Sequence, residues 1–190
     1  AKKAAQGEST MQALASLSAV INRFNNAVGK WIAWLALVMV LIQFAVVVMR
    51  YIFGLGSIMM QESIIYMHAI LFMVGAGYTL MHEGHVRVDI FYREASPRTK
   101  AIVDLGGALF FLIPVALLIW IYSWQYVVSS WEVLEGSKET SGIPAVFLLK
   151  SVILMFCGLV IAQGVSMIIA SVLRLTGRET LIPEVREDGV

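Results

Sequence analysis

The three histidines are the side chains in this sequence best suited to bind a metal or a haem. His68 lies inside a long apolar run, and His82 and His85 follow at the end of that run. A haem held by two histidines needs ligands at matching depth on two facing helices. The other apolar runs contain no histidine, so we expect His68 to be a hydrogen-bonded packing residue. A haem shared with another subunit stays open as an alternative.

Two ionisable residues lie just inside apolar runs. Asp104 is about one helical turn into the third run, and carboxylates in lipid are costly and often functional. Lys100, four residues earlier on the same helix face, can pair with it, which explains Asp104 as well as ion coupling does. Lys150 is near the start of the fourth run, where its stem can reach toward water. No charge lies near the middle of a run, which argues against an ion-coupled carrier or exporter acting alone.

No catalytic or cofactor-binding motif stands out along the chain. We find no phosphate-binding loop, metal-ligand cluster or nucleophile–base set. The single cysteine, Cys157, lies in an apolar run and has no intramolecular partner for a disulfide. We therefore expect a protein that is not an enzyme, with no cofactor, no metal and no nucleic-acid partner.

Four apolar runs dominate the sequence, which is 59% hydrophobic and 14% charged. Crossing the hydrocarbon core takes about 20 helical residues, and every run is long enough. The runs lack the two-residue alternation of a membrane barrel. The sequence therefore predicts an all-α integral membrane protein with four transmembrane helices, near residues 31–49, 63–81, 101–131 and 143–173. Pro114 is expected to kink the third helix.

The Lys and Arg residues predict the orientation of these helices. Eleven of the 14 lie before the first run, between the second and third, or after the fourth. Because positive residues are enriched in cytoplasmic loops, both termini are expected in the cytoplasm. The opposite side is acidic, with four glutamates: Glu62, Glu132, Glu135 and Glu139.

The residues before the first run have the pattern of an amphipathic helix. Apolar side chains recur there at three- and four-residue spacing: Leu14, Leu17, Ile21, Phe24 and Val28. This pattern predicts a helix lying on the inner membrane surface. A cytosolic helix packed against a partner subunit is the alternative. The expected organisation is a cytoplasmic segment at 1–30, a transmembrane domain at 31–174 and a cytoplasmic tail at 175–190.

Small residues recur every four positions along the fourth run, at Gly158, Ala162, Ser166 and Ala170. Small residues on one face let two helix backbones approach closely. The stripe could serve packing inside this chain or docking onto a partner, and the pattern favours neither.

Three ordered segments resemble a known family. They are "QESIIYMHAILFMVGAGYTLMHEGHVRVDIFY" at 61–92, "SPRTKAIVDLGGALFFLIP" at 96–114 and "SWEVLEGSKETSGIPAVFLLKS" at 130–151. Together they resemble the small (DctQ-like) membrane subunit of tripartite ATP-independent periplasmic (TRAP) transporters. The "HVRVD" at 85–89 is the most distinctive piece.

The resemblance implies a three-part, sodium-driven importer of an organic acid in the bacterial inner membrane. A periplasmic protein captures the substrate, a large membrane subunit moves it, and the small subunit enlarges the fixed scaffold. The small-residue stripe would then face the large subunit, and the four outer glutamates would contact the binding protein. A structural motif of five residues would hold the fold: His85, Arg87, Asp89, Asp104 and Lys150. Membrane lipid is the remaining partner. The competing hypothesis is a membrane anchor of a haem-containing respiratory complex.

Overall fold

Helices make up most of the computed structural model, which describes residues 2–85, 92 and 94–182, with side chains from residue 6 onward. The elements are α1 (Lys2–Ile52), α2 (Ile58–Val74), α3 (Ala76–Met81), α4 (Pro97–Gly107), a π-helical segment (Ala108–Leu112), α5 (Ile113–Glu132), α6 (Val146–Leu175) and a 3₁₀ turn (Glu179–Leu181).

Four helical stretches are long and apolar enough to cross a membrane: Gln6–Ile52, Ile58–Met81, Pro97–Glu132 and Val146–Leu175. Within a bilayer the backbone must satisfy its own hydrogen bonds, and a helix does so within one segment. The predicted all-α fold with four transmembrane helices is confirmed. The first loop, between α1 and α2, and the third loop, between α5 and α6, lie at one end of the bundle, which we call the Glu62 end. The opposite end, beside Tyr92, is the Tyr92 end.

The first span differs from the prediction in one respect. Residues 2–52 form one uninterrupted helix, so the predicted amphipathic segment is the first part of α1 and not a separate element. No proline occurs before residue 97, and the glycine at position 29 does not break the helix. At 1.5 Å per residue, 51 residues extend for about 76 Å, well beyond the hydrocarbon core.

The fourth span, α6, is the centre of the bundle. It packs against α1, against α2 and α3, and along the whole third span from α4 to α5. In its most apolar window 39% of the residues are buried, against 6–17% in the other three spans. The α4–α5 span rests chiefly on α6 and leaves its outer face exposed. This central position identifies α6 as the helix that holds the others together.

Two local features interrupt the regular helices. The π-helical segment 108–112 ends just before Pro114. Proline lacks an N–H and its ring clashes with the carbonyl four residues earlier, and a wider turn relieves that clash. The π-helical segment thus lies just before Pro114, and the kink expected there stays a prediction. The second span is divided at Gly75, which separates α2 from α3.

Gly29 provides a test of the packing between α1 and α3. A Cβ at this position would overlap the ring of Tyr78, whereas a Cβ at Gly106 would meet nothing within 4 Å. We expect Gly29→Ala to destabilise the fold by about 1–3 kcal/mol through overpacking. The measurement is the thermal unfolding midpoint in detergent.

Gly106→Ala is the matched control, since both changes alter helix propensity alike. It should leave the midpoint unchanged or slightly raised. Equal midpoints for the two variants would contradict the close contact at Gly29.

Candidate functional site

A chain of hydrogen-bonded polar side chains joins the first part of α1 to α6. Asn25 Nδ2 donates to Gln163 Oε1 at 2.8 Å, and Gln163 Nε2 donates to Asn22 Oδ1 at 3.2 Å. Ser166 Oγ donates to the same Asn22 oxygen at 2.7 Å and lies 2.8 Å from Ser18 Oγ. We call these five residues the polar seam.

The polar seam is buried and fixes the register of the two helices. Ser18 and Asn25 are each 1% exposed, and Gln163 is 3% exposed. Hydrogen bonds between transmembrane helices contribute on average about 0.6 kcal/mol each. Moving one helix along the other would leave buried amides unpaired, which costs more than the bonds contribute. The seam therefore specifies one alignment of α1 on α6.

The first part of α1 was expected to lie with its apolar face on the inner membrane surface. In the structure, polar side chains of this segment are buried against α6. The apolar residues Leu17 and Phe24 are 48% and 58% exposed, while the polar residues Ser18 and Asn25 are buried and bonded to α6. An apolar cluster of Ala15, Ile169 and Leu173 continues the same contact toward the N-terminus. The segment thus buries part of its polar side within the chain, while Gln12, Ser16 and Arg23 are exposed. Sequence reasoning missed Asn22, Asn25 and Gln163 as contact residues, although polar residues at helical spacing facing an apolar run are a usable signal.

Asn25 also explains why a glycine stands at position 77. A Cβ built on Gly77 would lie 2.9 Å from Asn25 Oδ1, and that oxygen has no hydrogen-bond partner. The absence of a side chain at Gly77 lets α3 approach the seam closely. Three helices therefore meet at Asn25.

The small-residue stripe of α6 is largely taken up by contacts inside the chain. Ser166 belongs to the polar seam and is 2% exposed. Gly158 faces the third span, with its Cβ position 3.6 Å from the Trp120 ring. Ala162 and Ala170 are partly buried. The structure favours the internal-packing alternative at Ser166 and Gly158; contact of the stripe with a large subunit stays a prediction.

At the Glu62 end, two of the four glutamates hold the third loop in place. The Glu62 carboxylate accepts a hydrogen bond from Ser137 Oγ and another from the Ile143 backbone N–H at 2.6 Å. One carboxylate on α2 thereby fastens both sides of the loop between α5 and α6.

Glu135 forms the second fastening at this end. It pairs with Lys150 of α6 and accepts a hydrogen bond from Ser130 Oγ at 2.7 Å. The Lys150 ammonium lies 3.9 Å from the centre of the Tyr126 ring. Lys150 was expected to reach toward water, and the structure instead places it in this cluster. The hydrogen bond from Lys150, followed by that from Ser130, holds the pKa of the Glu135 carboxyl below its ordinary value.

The other two glutamates of the predicted set, Glu132 and Glu139, have exposed side chains. Neither carboxylate takes part in a hydrogen bond or ion pair with the described residues. The acidic surface predicted from the sequence thus separates into two structural carboxylates and two that are available to a partner.

At the Tyr92 end, Asp104 accepts hydrogen bonds from the Tyr92 hydroxyl at 2.8 and 3.0 Å. Lys100 lies 5.3 Å from the centre of the Tyr92 ring, so the tyrosine joins the two residues that were expected to pair directly. A cavity of about 900 Å³ opens beside them and reaches the polar seam at Asn22. Its lining carries charges of both signs, so it favours neither an anion nor a cation.

The remaining predicted residues have no shared site. His85 is exposed, and Arg87 and Asp89 lie outside the described residues. His68 is exposed on α2 with its ring 6.4 Å from Phe72, and His82 packs on Tyr78 at 4.3 Å. Among the residues that the structure describes, no group of three His, Cys, Asp or Glu side chains could hold a metal ion.

Comparison with known proteins decides between the TRAP and haem-anchor hypotheses. Residues 39–174 match the family described as tripartite ATP-independent periplasmic transporters, DctQ component. This chain belongs to the DctQ family. That family is a component of tripartite ATP-independent periplasmic transporters, so the match supports the TRAP hypothesis over the haem-anchor alternative.

One curated relative illustrates the similarity. The C4-dicarboxylate TRAP transporter small permease protein DctQ of Vibrio cholerae serotype O1 is 28% identical over 107 residues. The alignment covers 56% of this chain, and the chain spans about half (46%) of the relative's length. No solved structure matches the chain. The DctQ match includes α2 to α5, nearly all of α6 and the last 14 residues of α1 (39–52), but not the first part of α1, which carries three residues of the polar seam.

The Glu62 fastening predicts the behaviour of the third loop in this DctQ-family protein. Replacing the carboxylate by Glu62→Ala removes the acceptor of the Ile143 N–H and of Ser137 Oγ. We expect the amides of residues 136–145 to exchange with deuterium severalfold faster, because local opening then breaks fewer bonds. Hydrogen exchange with mass spectrometry measures this.

Glu132→Ala is the control, since it removes an exposed carboxylate next to the same loop. Exchange in 136–145 should be unchanged in that variant. Equal acceleration in both would show that general charge loss, and not the Glu62 contact, governs the loop.

Glu135 predicts a pH dependence of stability. Its pKa is lowered in the folded protein, so its contribution is present above the ordinary carboxyl pKa and is lost as the pH falls through the folded value. Glu135→Gln should lower the unfolding midpoint at neutral pH, and the difference from the parent should vanish in acid.

Midpoints measured in detergent from neutral pH down into the acid range give this comparison. Glu132→Gln serves as the control and should show no pH-dependent difference. A Glu135→Gln effect that grew toward acid would contradict the Glu135–Lys150 pairing.

Proposed function

We propose that this DctQ-family chain is the scaffold subunit of a sodium-driven TRAP transporter that imports an organic acid. The observation that carries the proposal is the family match over 39–174, which includes all or part of every span. The charges of the chain lie toward the ends of its spans, which argues against an ion-coupling site deep within it. Coupling and transport then belong to the large subunit.

The internal contacts support a role as a fixed body. The polar seam fixes the register of α1 and α6, and the Glu62 and Glu135 fastenings tie α2, the third loop and α6 at the other end. Packed units joined by buried hydrogen bonds resist sliding between their helices. A transport domain that moves through the membrane needs such a stationary partner.

We place the Glu62 end in the periplasm and both termini in the cytoplasm of a bacterial inner membrane. The Lys and Arg distribution supports this orientation. On that arrangement, Glu132 and Glu139 face the periplasmic binding protein, and their carboxylates suit a basic patch on that partner. Glu62 and Glu135 support the same surface from within.

The proposed substrate class rests on the name of the Vibrio cholerae relative. The Vibrio cholerae protein is named for C4-dicarboxylates, so organic acids are the class proposed here. Selection among them is assigned to the binding protein and the large subunit.

Deletion of the chain tests the function. A strain that keeps the large subunit and the binding protein should lose uptake, falling to the level of a strain without the large subunit. Growth and uptake on a panel of organic acids, with and without sodium, provide the measurement. A plasmid copy of the chain should restore uptake.

Two outcomes oppose the proposal. Undiminished uptake in the deletion strain would show that the chain is dispensable for transport. Restored uptake that did not depend on sodium would remove the sodium-driven part while leaving the subunit role.

A further inference from the structure

The cavity of about 900 Å³ at the Tyr92 end adjoins a second one. The second has a volume of about 860 Å³, and most of the side chains that line it are apolar. Four residues line both spaces: Leu80, Tyr92, Asp104 and Met167. We call the first space the polar cavity and the second the apolar groove. Together they form one site with a charged end and an apolar end.

The apolar groove follows the third span where that span packs on α6. Four of its residues recur every four positions along the span: Gly107, Phe111, Val115 and Ile119. Phe111 and Val115 are 72% and 52% exposed, so the chain itself leaves this face open. From Asp104 to Ile119 is 15 residues, or about 22 Å of helix, whereas one leaflet contributes about 15 Å of hydrocarbon. The groove is long enough for the acyl chains of one leaflet.

The charged end of the site lies where the apolar runs of these two spans stop. A Cβ at Gly164 of α6 would meet Leu112 and Ile113 of the third span. Ten residues further along α6 is Arg174, and ten residues back along the antiparallel third span is the neighbourhood of Asp104. Arg174 and Asp104 are therefore at nearly the same level. Since both apolar runs end there, the polar cavity lies at the depth of the lipid headgroups.

The lining of the polar cavity carries charges of both signs. Its cations are Lys100 and Arg174, and neither forms an ion pair with a described residue. Its carboxylates are those of Glu83, Asp104 and Glu179. The Glu179 carboxylate also has no hydrogen bond or ion pair with a described residue. Cations and carboxylates that line one space without pairing suit a ligand that carries both charges.

A zwitterionic headgroup of phosphate and primary ammonium has this chemistry. Its phosphate accepts charge-assisted hydrogen bonds from Lys and Arg, and its ammonium donates them to carboxylates. Basic pockets between membrane helices are known to bind lipid headgroups. Asp104 already accepts bonds from the Tyr92 hydroxyl, but a carboxylate has about four acceptor positions and can take a further donor.

A transmembrane helix of a partner fits the site less well than a lipid does. A helix is about 10 Å wide, so a 22 Å length of it fills roughly 1,700 Å³. That is twice the volume of the apolar groove, and half of the helix would remain outside. A helix also brings no phosphate to Lys100 and Arg174. A small soluble zwitterion would occupy the polar cavity but leave the groove without an apolar occupant.

We propose that the polar cavity and the apolar groove together bind one phospholipid with a phosphoethanolamine headgroup, from the leaflet at the Tyr92 end. Its phosphate contacts Lys100 and Arg174. Its ammonium donates to Asp104 and Glu179, and its acyl chains follow the groove. The lipid fills the space left beside the third span, which packs chiefly on α6. This inference goes beyond the proposed function and does not depend on it.

Native mass spectrometry of the whole chain in mild detergent tests the site. Phosphatidylethanolamine, phosphatidylcholine and phosphatidylglycerol with identical acyl chains are titrated separately, and the first bound lipid is quantified. We expect phosphatidylethanolamine to bind severalfold more tightly than either of the others. Choline has no N–H to donate to the carboxylates, and the glycerol headgroup has no positive charge.

Two adjacent glycines provide matched variants for the groove. A Cβ at Gly106 or at Gly107 would meet nothing within 4 Å, and of the two only Gly107 lines the groove. Gly107→Leu places a large side chain in the groove and should weaken phosphatidylethanolamine binding severalfold. Gly106→Leu changes helix propensity in the same way and should bind the lipid as the parent does.

Two arginines provide the corresponding pair for the headgroup. Arg174 and Arg98 are both exposed at the Tyr92 end, and of the two only Arg174 lines the polar cavity. Arg174→Gln should weaken phosphatidylethanolamine binding severalfold, whereas Arg98→Gln should leave it unchanged. Because the Arg174 side chain is exposed, its replacement retains the fold and reports on binding alone.

Four results would overturn the proposal. The first is that no phosphatidylethanolamine stays bound to the parent chain. The second is equal affinity for the three lipids, which would mean that lipid only surrounds the bundle. The third is unchanged binding in either Gly107→Leu or Arg174→Gln. The fourth is a loss of large-subunit co-purification in Gly107→Leu with lipid binding retained, which would assign the groove to a protein helix. None of the lipid titrations measures uptake, so their failure leaves the proposed function standing.

Discussion

A buried amide in a membrane must find its hydrogen-bond partner in protein, because the hydrocarbon around the helices supplies none. Asn25 and Gln163 meet this constraint by pairing with each other, and Asn22, Ser166 and Ser18 extend the chain. The hydrophobic effect does not hold helices together within lipid, so alignment depends on close packing and on such bonds. The polar seam fixes α1 on α6, and α6 in turn supports every other span. The geometry of the bundle thus depends on a few polar contacts between the first part of α1 and the middle part of α6.

Much of the fold could be predicted from the sequence because membrane helices must be long, apolar and internally hydrogen-bonded. These requirements gave four spans, and the distinctive segments gave the family. The same requirements did not predict that α1 is one uninterrupted helix. An amphipathic pattern next to an apolar run is compatible with a separate surface helix and also with the first turns of one long transmembrane helix. Only the position of α6 decides which face of α1 is buried. The pattern 14–28 gave no information about the helix that covers the polar residues Ser18, Asn22 and Asn25.

Individual sites were harder to predict than helices. Glu62 and Glu135 have the same residue type and the same end of the bundle as Glu132 and Glu139, and the sequence treats all four alike. Their roles separate only when the third loop folds back and brings the Ile143 N–H and the Lys150 ammonium to two of them. The small-residue stripe on α6 shows the same limit. The stripe was expected to let another helix approach α6 closely. At Ser166 and Gly158 the helices that do so, α1 and α5, belong to this chain.

The distribution of buried and exposed faces is consistent with the proposed scaffold role. A helix at the centre of the bundle cannot also be the main surface for a partner, and α6 has the largest buried share of the four spans. The peripheral helices α1 and α5 carry the exposed apolar faces, and most of those residues suit lipid and a partner helix equally. Polar residues break this equivalence, because an unpaired amide is costly in lipid but is satisfied in a protein interface.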